Sequence, residues 1–460
     1  MNSDLQILHD ASTWQQGQVV EVTIDNLSDR GDGVGRYQGR AVFIPDTVTG
    51  DRVRIRLVKV KRDYAHGKVV ELLSPSPDRV RPSCIVADKC GGCQWQHIDY
   101  PYQLEAKQSQ VREALARIGG LPEINIAPTL GTTSLGYRNK STYPLKRSTT
   151  GQVQAGYYQK SSHLLVNLNQ CPVQDSRLNP LLAEIKKDLQ AQGWSIYDEP
   201  KHQGRLRHLS LRIGRETGEM LLTLISTSPD LQGLPAQAEE WIAKYPGLVG
   251  VMINVNGQRG NVIFGKESHC VAGRAYLREE FAGLQWEIPA DTFFQVHPEA
   301  AAAMLTIIRE RLQLTGSEFL LDAYCGIGTF TLPLAGFVRR AIGLEIQVTA
   351  VHQAQRNAEL NHIENVSFQQ GQVEALLPAL ESTPDVILLD PPRQGCDRQV
   401  LDTILAQQPP RLVYISCKPS TLARDLGILT QGGYTVDLVQ PVDFFPQTAH
   451  VETVAFLTKD

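Results

Sequence analysis

The chain has few of the features that would place it in a membrane or outside the cell. Its 460 residues include no apolar run of about 18 residues, so no membrane-spanning helix is predicted. The N-terminal Met1-Asn-Ser-Asp-Leu5 lacks the basic and apolar regions of a secretory signal, so we expect a cytoplasmic protein. Repeats and low-complexity segments are also missing. The net charge is only −4, so charge alone does not indicate a nucleic-acid partner.

The length and composition indicate a globular protein of several domains. The chain is 42% hydrophobic and 20% charged, and it is too long for a single core. We expect a flexible tail at 1–13, a small β-barrel at 14–74 and a central α+β domain at 75–280. Residues 281–460 should form an α/β domain, on which a helix over 99–118 could pack.

Short predicted strands fill the barrel region. The segment Arg52-Val-Arg-Ile-Arg-Leu57 alternates basic and apolar residues, so its side chains should alternate between solvent and core. From Arg52 to Lys68 there are seven lysines or arginines and one acid, Asp63. This pattern predicts one cationic face, which is either a solvated surface or a phosphate-binding surface.

After residue 281, strands and helices alternate as in a doubly wound, Rossmann-like sheet. A buried strand ends at a glycine loop, Asp322-Ala-Tyr-Cys-Gly-Ile-Gly328, and the next strand ends at Glu345. Glycines let the backbone approach a cofactor, and a carboxylate at Glu345 could bind ribose hydroxyls. Because the loop has two glycines rather than three, it favours S-adenosylmethionine over a dinucleotide.

Two later segments carry candidate reacting groups. Asp390-Pro-Pro-Arg393 and Cys417 each follow a predicted strand, where open α/β sheets bind ligands. Cys417 is either a buried packing residue or a nucleophile, whose pKa the cations of Arg393 and Lys418 would lower. Glu452 is a candidate base or an exposed strand residue, and His450 is the alternative base.

Taken in order, these motifs resemble those of the RNA 5-methyluridine methyltransferases, the RumA/TrmA family, and the similarity extends from residue 16 onward. The resemblance implies that Cys417 adds to uracil C6, that C5 accepts a methyl group from S-adenosyl-L-methionine, and that Glu452 removes the C5 proton. It also implies cofactor contacts by Gln295, Tyr324, Glu345 and Asp390. Three positions depart from the asparagine that is usual in the family: His297, Thr329 and Lys418.

The chain has eight cysteines, and four of them have the spacing of a metal site: Cys84, Cys90, Cys93 and Cys171. Four thiolates suit an iron–sulfur cluster or structural zinc, but the spacing differs from the two-pair zinc pattern. The resemblance implies a [4Fe-4S] cluster with a structural or RNA-docking role, because methyl transfer needs no electron. We expect Cys270, Cys325 and Cys396 to pack in the core.

The N-terminal barrel resembles a TRAM domain, a nucleic-acid-binding module. RNA contacts are therefore predicted at seven basic residues: Arg52, Arg54, Arg56, Arg138, Lys140, Arg205 and Arg207. Tyr137 and Trp95 could stack on unpaired bases or belong to the core.

The resemblance of the barrel and the cysteine motif to this family implies an enzyme that acts on structured RNA, with 23S ribosomal RNA as substrate. We also expect a monomer. A tRNA methyltransferase of the same chemistry is the first alternative. The second is a non-catalytic iron–sulfur protein that binds RNA or senses redox state, although such a protein needs neither Cys417 nor Glu452. A nitrogen methyltransferase is disfavoured by Arg393 and Cys417.

Overall fold

The structure is a computed structural model that describes residues 14–459. The predicted flexible tail at 1–13 lies outside the described residues. Three β-sheets of five or more strands and one short hairpin account for the strands of the described part.

The first sheet is a closed barrel with strand order β1-β2-β3-β5-β4. Its strands are β1 (Val19–Leu27), β2 (Gly33–Tyr37), β3 (Arg40–Ile44), β4 (Arg52–Val60) and β5 (Tyr64–Ser74). Alternate residues point inward and form an aliphatic core that includes Val22, Val42 and Ile55. Gly35 lies where β1 approaches closely, because a Cβ there would stand 2.5 Å from the Thr23 carbonyl oxygen.

The central region is built on a seven-stranded mixed sheet with order β12-β11-β10-β9-β6-β7-β8. Helix α1 (Tyr100–Arg117) precedes this sheet in the chain. The strands and helices of the central region are β6 (Lys140–Arg147), β7 (Val153–Tyr158), β8 (Leu165–Asn167), α2 (Leu178–Ala191), β9 (Leu206–Ile213), β10 (Met220–Ser226), α3 (Leu234–Lys244), β11 (Leu248–Val255) and β12 (Glu267–Gly273). A hairpin of β13 (Tyr276–Phe281) and β14 (Leu284–Pro289) follows. The apolar sides of α2 and α3 share one core with this sheet.

The C-terminal region is a second seven-stranded sheet, with order β17-β16-β15-β18-β19-β21-β20. Its elements are α4 (Pro298–Leu312), β15 (Phe319–Ala323), α5 (Thr331–Ala335), β16 (Arg340–Glu345), α6 (Val348–Leu360), β17 (Val366–Gln370), α7 (Val373–Leu376), a 3₁₀ turn (Leu377–Ala379), β18 (Val386–Leu389), α8 (Arg398–Gln407), β19 (Arg411–Ser416), α9 (Pro419–Gln431), β20 (Tyr434–Val442) and β21 (Glu452–Lys459). Every residue of β15 and β18 is buried, as expected for parallel strands covered on both faces. The predicted doubly wound, Rossmann-like fold is confirmed.

Helix α1 lies against the C-terminal sheet region rather than against the central sheet. Its Val111 and Leu115 belong to the same core as Leu422 and Ala423 of α9. A buried ion pair between Lys107 Nζ and Asp443 Oδ1, at 2.5 Å, joins α1 to the segment between β20 and β21. Among the helices of residues 14–459, none has the length and apolar character needed to cross a membrane.

Candidate active site

The candidate site lies at the carboxyl edge of the C-terminal sheet. Strands β15, β16, β18 and β19 are parallel, so the residues that follow them meet at one edge. β15 has β16 on one side and β18 on the other, which makes its end the topological switch point where such sheets bind ligands. Tyr324, Glu345, Asp390 and Cys417 are the residues at these strand ends.

Glu452 joins this edge because β21 runs in the opposite direction. β21 pairs antiparallel with β19, and Ser416 lies opposite Thr453. The first residue of β21 therefore lies beside the residue that follows β19, which brings Glu452 next to Cys417. Glu452 is buried with 8% exposure, so it is not an exposed strand residue.

Cys417 is half-buried and lies among charges of both signs. Burial raises the pKa of the Cys417 thiol, and the negative charges of Glu452 and Asp390 raise it further. Arg393 lowers the pKa of Cys417 through its charge and a hydrogen bond, as predicted. Burial and the two carboxylates outweigh that cation in the free protein, so the net shift of the Cys417 pKa is upward.

The carboxyl groups at this edge hold protons unusually strongly. Burial raises the pKa of Glu452 well above the usual range, the Asp390 charge adds to this, and Arg393 opposes it. The pKa of Asp390 is raised to about 7 by burial and then by the charge of Asp322. Burial likewise raises the pKa of Asp322 to about 7, although Thr331 donates a hydrogen bond to it. Arg393 is therefore the cation that acts on both Cys417 and Glu452.

The glycine loop is held by Glu345. One carboxylate oxygen accepts a hydrogen bond from the Gly326 backbone N–H at 3.0 Å, and the other accepts from Gln347 N–H at 2.8 Å. Each oxygen keeps a further lone pair for a ligand hydroxyl. Tyr324 adopts a left-handed φ of 78°, a conformation uncommon for a tyrosine and often associated with functional sites.

Gln295 belongs to a different segment, the loop between β14 and α4. Its backbone carbonyl accepts a hydrogen bond from Asn139 Nδ2 at 3.0 Å, and its side chain is half-buried. The structure thus gathers three of the four predicted cofactor residues at the strand ends, while the position of Gln295 is set by the central region.

A cavity of about 860 Å³ opens at Cys417. One wall is formed by the barrel, including Val34, Arg36 and Phe43, and another by α1. Cys417, Arg393, Lys418 and His450 line the remaining side. The barrel wall was not predicted from the sequence, because the contact between the barrel and the C-terminal sheet depends on residues far apart in the chain.

The four cysteines of the predicted metal site line a second cavity, of about 250 Å³. Burial raises the pKa of Cys93 to about 12, and the charges of Cys171, Cys90 and Cys84 raise it further, so the four sulfurs are close enough to interact. Within residues 14–459, no three or more His, Cys, Asp or Glu side chains converge in the manner needed to hold one metal ion. The [4Fe-4S] cluster stays a prediction.

The predicted RNA-binding residues have unequal surroundings. Arg52 is exposed and Arg54 is half-buried, but Arg52 pairs with Glu21 at 3.1 Å, and Arg54 pairs with both Glu21 and Glu71. Arg56 donates to the Gly17 carbonyl at 3.2 Å. The face of β4 is therefore partly neutralised by acids on neighbouring strands rather than uniformly cationic.

The predicted RNA contacts of the central region also differ from one another. Arg207 is buried and donates to the carbonyls of Asn256 and Gln258, so it holds a loop, and its prediction as an RNA contact was wrong. Lys140 is largely enclosed, and burial lowers its pKa to about 6. Arg138 lines the cysteine cavity, and Arg205 is exposed but donates to the Asp230 carbonyl.

Several other predicted residues are structural. Tyr137 and Trp95 are fully buried, so the core alternative holds for both. His297 is also buried, its ring stacks on Tyr137 at 4.6 Å, and its Nε2 lies 2.9 Å from Thr132 Oγ1. Thr329 is buried and Lys418 exposed.

Cys325 and Cys396 are buried as expected, but Cys270 is exposed on the edge strand β12, so its assignment to the core was wrong.

Comparison with known proteins agrees with this geometry. Residues 266–460 match the tRNA (Uracil-5-)-methyltransferase family model, and residues 13–70 match the TRAM domain model. An uncharacterized RNA methyltransferase of Nostoc sp. is 62% identical over 97% of both chains. The chain belongs to the uracil-5 RNA methyltransferase family. Relatives of this methyltransferase include uncharacterized RNA methyltransferases of Synechocystis sp., 58% identical over 96% of both chains, and of Halalkalibacterium halodurans, 41% identical over 96% of this chain and 97% of the relative.

The similarity of the methyltransferase to a solved structure extends over nearly the whole chain. The Pyrococcus abyssi tRNA (uracil-54, C5)-methyltransferase in complex with S-adenosyl-L-homocysteine is 26% identical, with a TM-score of 0.75. The alignment covers 95% of this chain and 100% of that one. The methyltransferase therefore shares its overall architecture with an enzyme of the same family.

Proposed function

We propose that this methyltransferase transfers a methyl group from S-adenosyl-L-methionine to C5 of a uridine in 23S ribosomal RNA. The observation that carries the proposal is the placement of Cys417 beside Glu452 at the switch-point edge of the sheet, where a cavity opens. In this proposal residues 14–74 contact RNA, residues 75–280 hold the cluster and residues 281–460 carry out the transfer.

Cys417 acts as the nucleophile, because uracil C5 on its own reacts poorly with a methyl donor. The target base leaves its stack and enters the cavity. The Cys417 thiolate bonds to C6, and the C5–C6 electron pair moves toward the C4 carbonyl, which makes C5 nucleophilic. Arg393 stabilises the thiolate that attacks, since its charge and hydrogen bond favour that form.

Glu452 acts as the base that completes the reaction. After C5 has taken the methyl group, the Glu452 carboxylate removes the proton from C5, the C5–C6 double bond forms again and the bond from sulfur to C6 breaks. Burial raises the pKa of Glu452, so once it is ionised its carboxylate is a stronger proton acceptor than an exposed one. His450 lines the same cavity and is the alternative base.

The residues at the strand ends fit a methyl donor of this type. S-adenosyl-L-methionine supplies an electrophilic methyl group and leaves as S-adenosyl-L-homocysteine, which the Pyrococcus abyssi relative binds. Glu345 has oxygen lone pairs for ribose hydroxyls, and buried Asp322 Oδ1 has no partner in the described part of the chain. Tyr324, Asp390 and Gln295 are the further proposed contacts.

The second cavity fits a cluster better than a single ion. Structural zinc requires four ligands at about 2.3 Å from one point, and no three His, Cys, Asp or Glu side chains in residues 14–459 converge in that way. All four cysteines nevertheless line one cavity of about 250 Å³. Buried thiols with raised pKa values ionise only when a cationic group lies beside them. The iron ions of an iron–sulfur cluster would supply that positive charge. Cys84, Cys90, Cys93 and Cys171 would hold it, and its role would be structural.

A tRNA substrate is the second candidate, because the structural relative from Pyrococcus abyssi is a tRNA (uracil-54, C5)-methyltransferase. The TRAM domain and the cysteine motif support 23S ribosomal RNA instead, and we propose that the enzyme acts as a monomer in the cytoplasm.

Methyl transfer from labelled S-adenosyl-L-methionine to unmodified 23S RNA and to bulk tRNA tests the proposal. We expect labelled 5-methyluridine in 23S RNA with the wild type and none with Cys417→Ala. Label in tRNA alone would overturn the substrate, and label in 23S RNA with Cys417→Ala would overturn the mechanism. Exposed Cys270→Ala is the matched control and should methylate like the wild type.

A further inference from the structure

One outward face of the barrel carries three rings. Strands β2, β3 and β5 are neighbours, and residues that point outward alternate with residues that point into the core. The register aligns these outward residues in two rows across the three strands: Arg36, Ala41 and Tyr64 in one, and Val34, Phe43 and His66 in the other. Their neighbours Val42 and Ala65 point inward and are fully buried.

The rings form a compact cluster at the surface. The centroids of Phe43 and Tyr64 are 5.8 Å apart in an edge-on arrangement, and His66 lies 5.7 Å from each of them. Tyr64 is 38% exposed, and Phe43 and His66 are half-buried. The barrel core does not need these rings, because aliphatic side chains fill it.

This face borders the active-site cavity. Phe43 and Arg36 line the cavity that contains Cys417, while His66 lines an adjoining groove of about 840 Å³ together with Lys59 and Lys160. The ring cluster therefore stands between the two grooves. Arg36 donates to the Gly39 carbonyl at 3.3 Å and forms no salt bridge with an acid of residues 14–459, unlike the acid-paired Arg52 and Arg54.

We propose that Phe43, supported by Tyr64 and His66, is a stacking site for an unpaired RNA base that neighbours the target uridine. Flat aromatic faces beside a groove with cations are the features by which proteins bind single-stranded nucleic acid. In barrels of the OB type the face of strands 2 and 3 binds oligonucleotides.

The charges of the cavity favour bases over phosphates at this wall. On the barrel and α1 side, the acids Asp25, Asp29 and Glu113 outnumber the two cations Arg36 and Arg117. On the Cys417 side, Arg393 and Lys418 are present and no acid is among the lining residues. A strand that threads the cavity would turn its phosphates toward the cations at Cys417 and its next base toward Phe43. Binding of RNA by the barrel would then depend on β2, β3 and β5 rather than on the arginines of β4.

Equilibrium binding of a fluorescein-labelled oligouridylate to the full chain, without methyl donor, tests the site. Phe43→Leu keeps an apolar side chain but removes the flat π face, and Tyr64→Ala removes an exposed ring. A lost stacking contact corresponds to about 5- to 150-fold weaker binding. Val70→Ala, which shortens a side chain that is 53% exposed on the same strand as Tyr64, is the matched control and should bind like the wild type.

Two results would overturn the stacking site. One is oligouridylate binding by Phe43→Leu and Tyr64→Ala that equals that of the wild type. The other is a loss of affinity for a duplex RNA of the same length that equals the loss for oligouridylate, because a duplex offers no unpaired base. The inference rests on the proposed reaction only in placing the target uridine at Cys417. Since binding is measured without catalysis, failure of the stacking site and failure of the methylation assay are separate results.

Kinetics give a further readout. With 23S RNA as substrate, Phe43→Leu should raise KM and leave kcat at saturating RNA close to that of the wild type. A fall in kcat with unchanged KM would contradict a binding role for Phe43.

Discussion

Replacing Lys107 by methionine should lower the free energy of unfolding by about 3–5 kcal/mol. Lys107 and Asp443 are both fully buried, and Lys107 Nζ lies 2.5 Å from Asp443 Oδ1 and 3.2 Å from the Phe445 carbonyl oxygen. Methionine keeps most of the apolar stem, so the loss comes from the carboxylate of Asp443, which remains buried without its cation.

Urea unfolding of the wild type and three variants measures this loss. Asp443→Asn should cost less than Lys107→Met, because burial lowers the pKa of Lys107 and lets it shed its proton. The double variant should be more stable than the sum of the single losses predicts, since it leaves no unpaired charge.

Lys187→Met is a matched control, because Lys187 pairs with Glu184 at the same distance of 2.5 Å but on the surface. An exposed pair contributes about 0–1 kcal/mol. If Lys107→Met costs no more than Lys187→Met, the buried pair does not fasten α1 to the C-terminal sheet.

Three further outcomes follow from the charges and thiols of the two cavities. The pH profile for iodoacetamide alkylation of Cys417 should shift to lower pH in Glu452→Gln, because Glu452 raises the thiol pKa, and to higher pH in Arg393→Gln, because Arg393 lowers it. Shifts of both variants in the same direction would contradict this. Asp390 has a pKa of about 7 in the fold against about 3.9 when exposed, so the folded state binds more protons and loses stability as pH rises through this window. In urea unfolding, the free energy of unfolding of Asp390→Asn minus that of the wild type should therefore increase between about pH 4 and pH 7. A difference that stays constant over this pH range would refute the prediction. Anaerobically purified protein should absorb visible light, and Cys93→Ser should lose that absorbance while Cys270→Ser keeps it; a colourless wild type that contains zinc would remove the cluster.

The parts of the site that follow from local sequence were predictable. The strands before Asp390 and Cys417 are continuous apolar runs, and β18 and β19 end directly before these residues. Parallel strands present their carboxyl ends at one edge, so the sequence alone indicates that these two residues lie close together. The same reasoning predicts Tyr324 and Glu345 at that edge.

The remaining features depend on pairing between distant segments. Glu452 meets Cys417 only because β21 is antiparallel to β19, a direction that the apolar pattern of β21 does not specify. The acids that neutralise Arg54 come from two other strands, at Glu21 and Glu71.

Burial was equally hard to predict. Arg207 occupies an alternating strand pattern compatible with exposure, yet it is buried and holds a loop through Asn256. Cys270 belongs to a residue type that is usually buried, but it falls on the edge strand of a sheet. The raised pKa of Cys417 depends on the burial of that thiol and on Glu452, neither of which is visible in its neighbouring residues.

The most direct test of the pairing of Cys417 with Glu452 uses the Glu452→Gln variant. The variant is allowed to react with RNA and S-adenosyl-L-methionine, the RNA is digested, and the mass of the peptide that contains Cys417 is measured. Without the base, the C5 proton stays in place and the bond from sulfur to C6 persists, so we predict that this peptide carries a methylated uridine nucleotide. The adduct should be absent from Cys417→Ala. An unmodified Cys417 peptide in Glu452→Gln together with normal formation of 5-methyluridine would contradict the assignment of both residues.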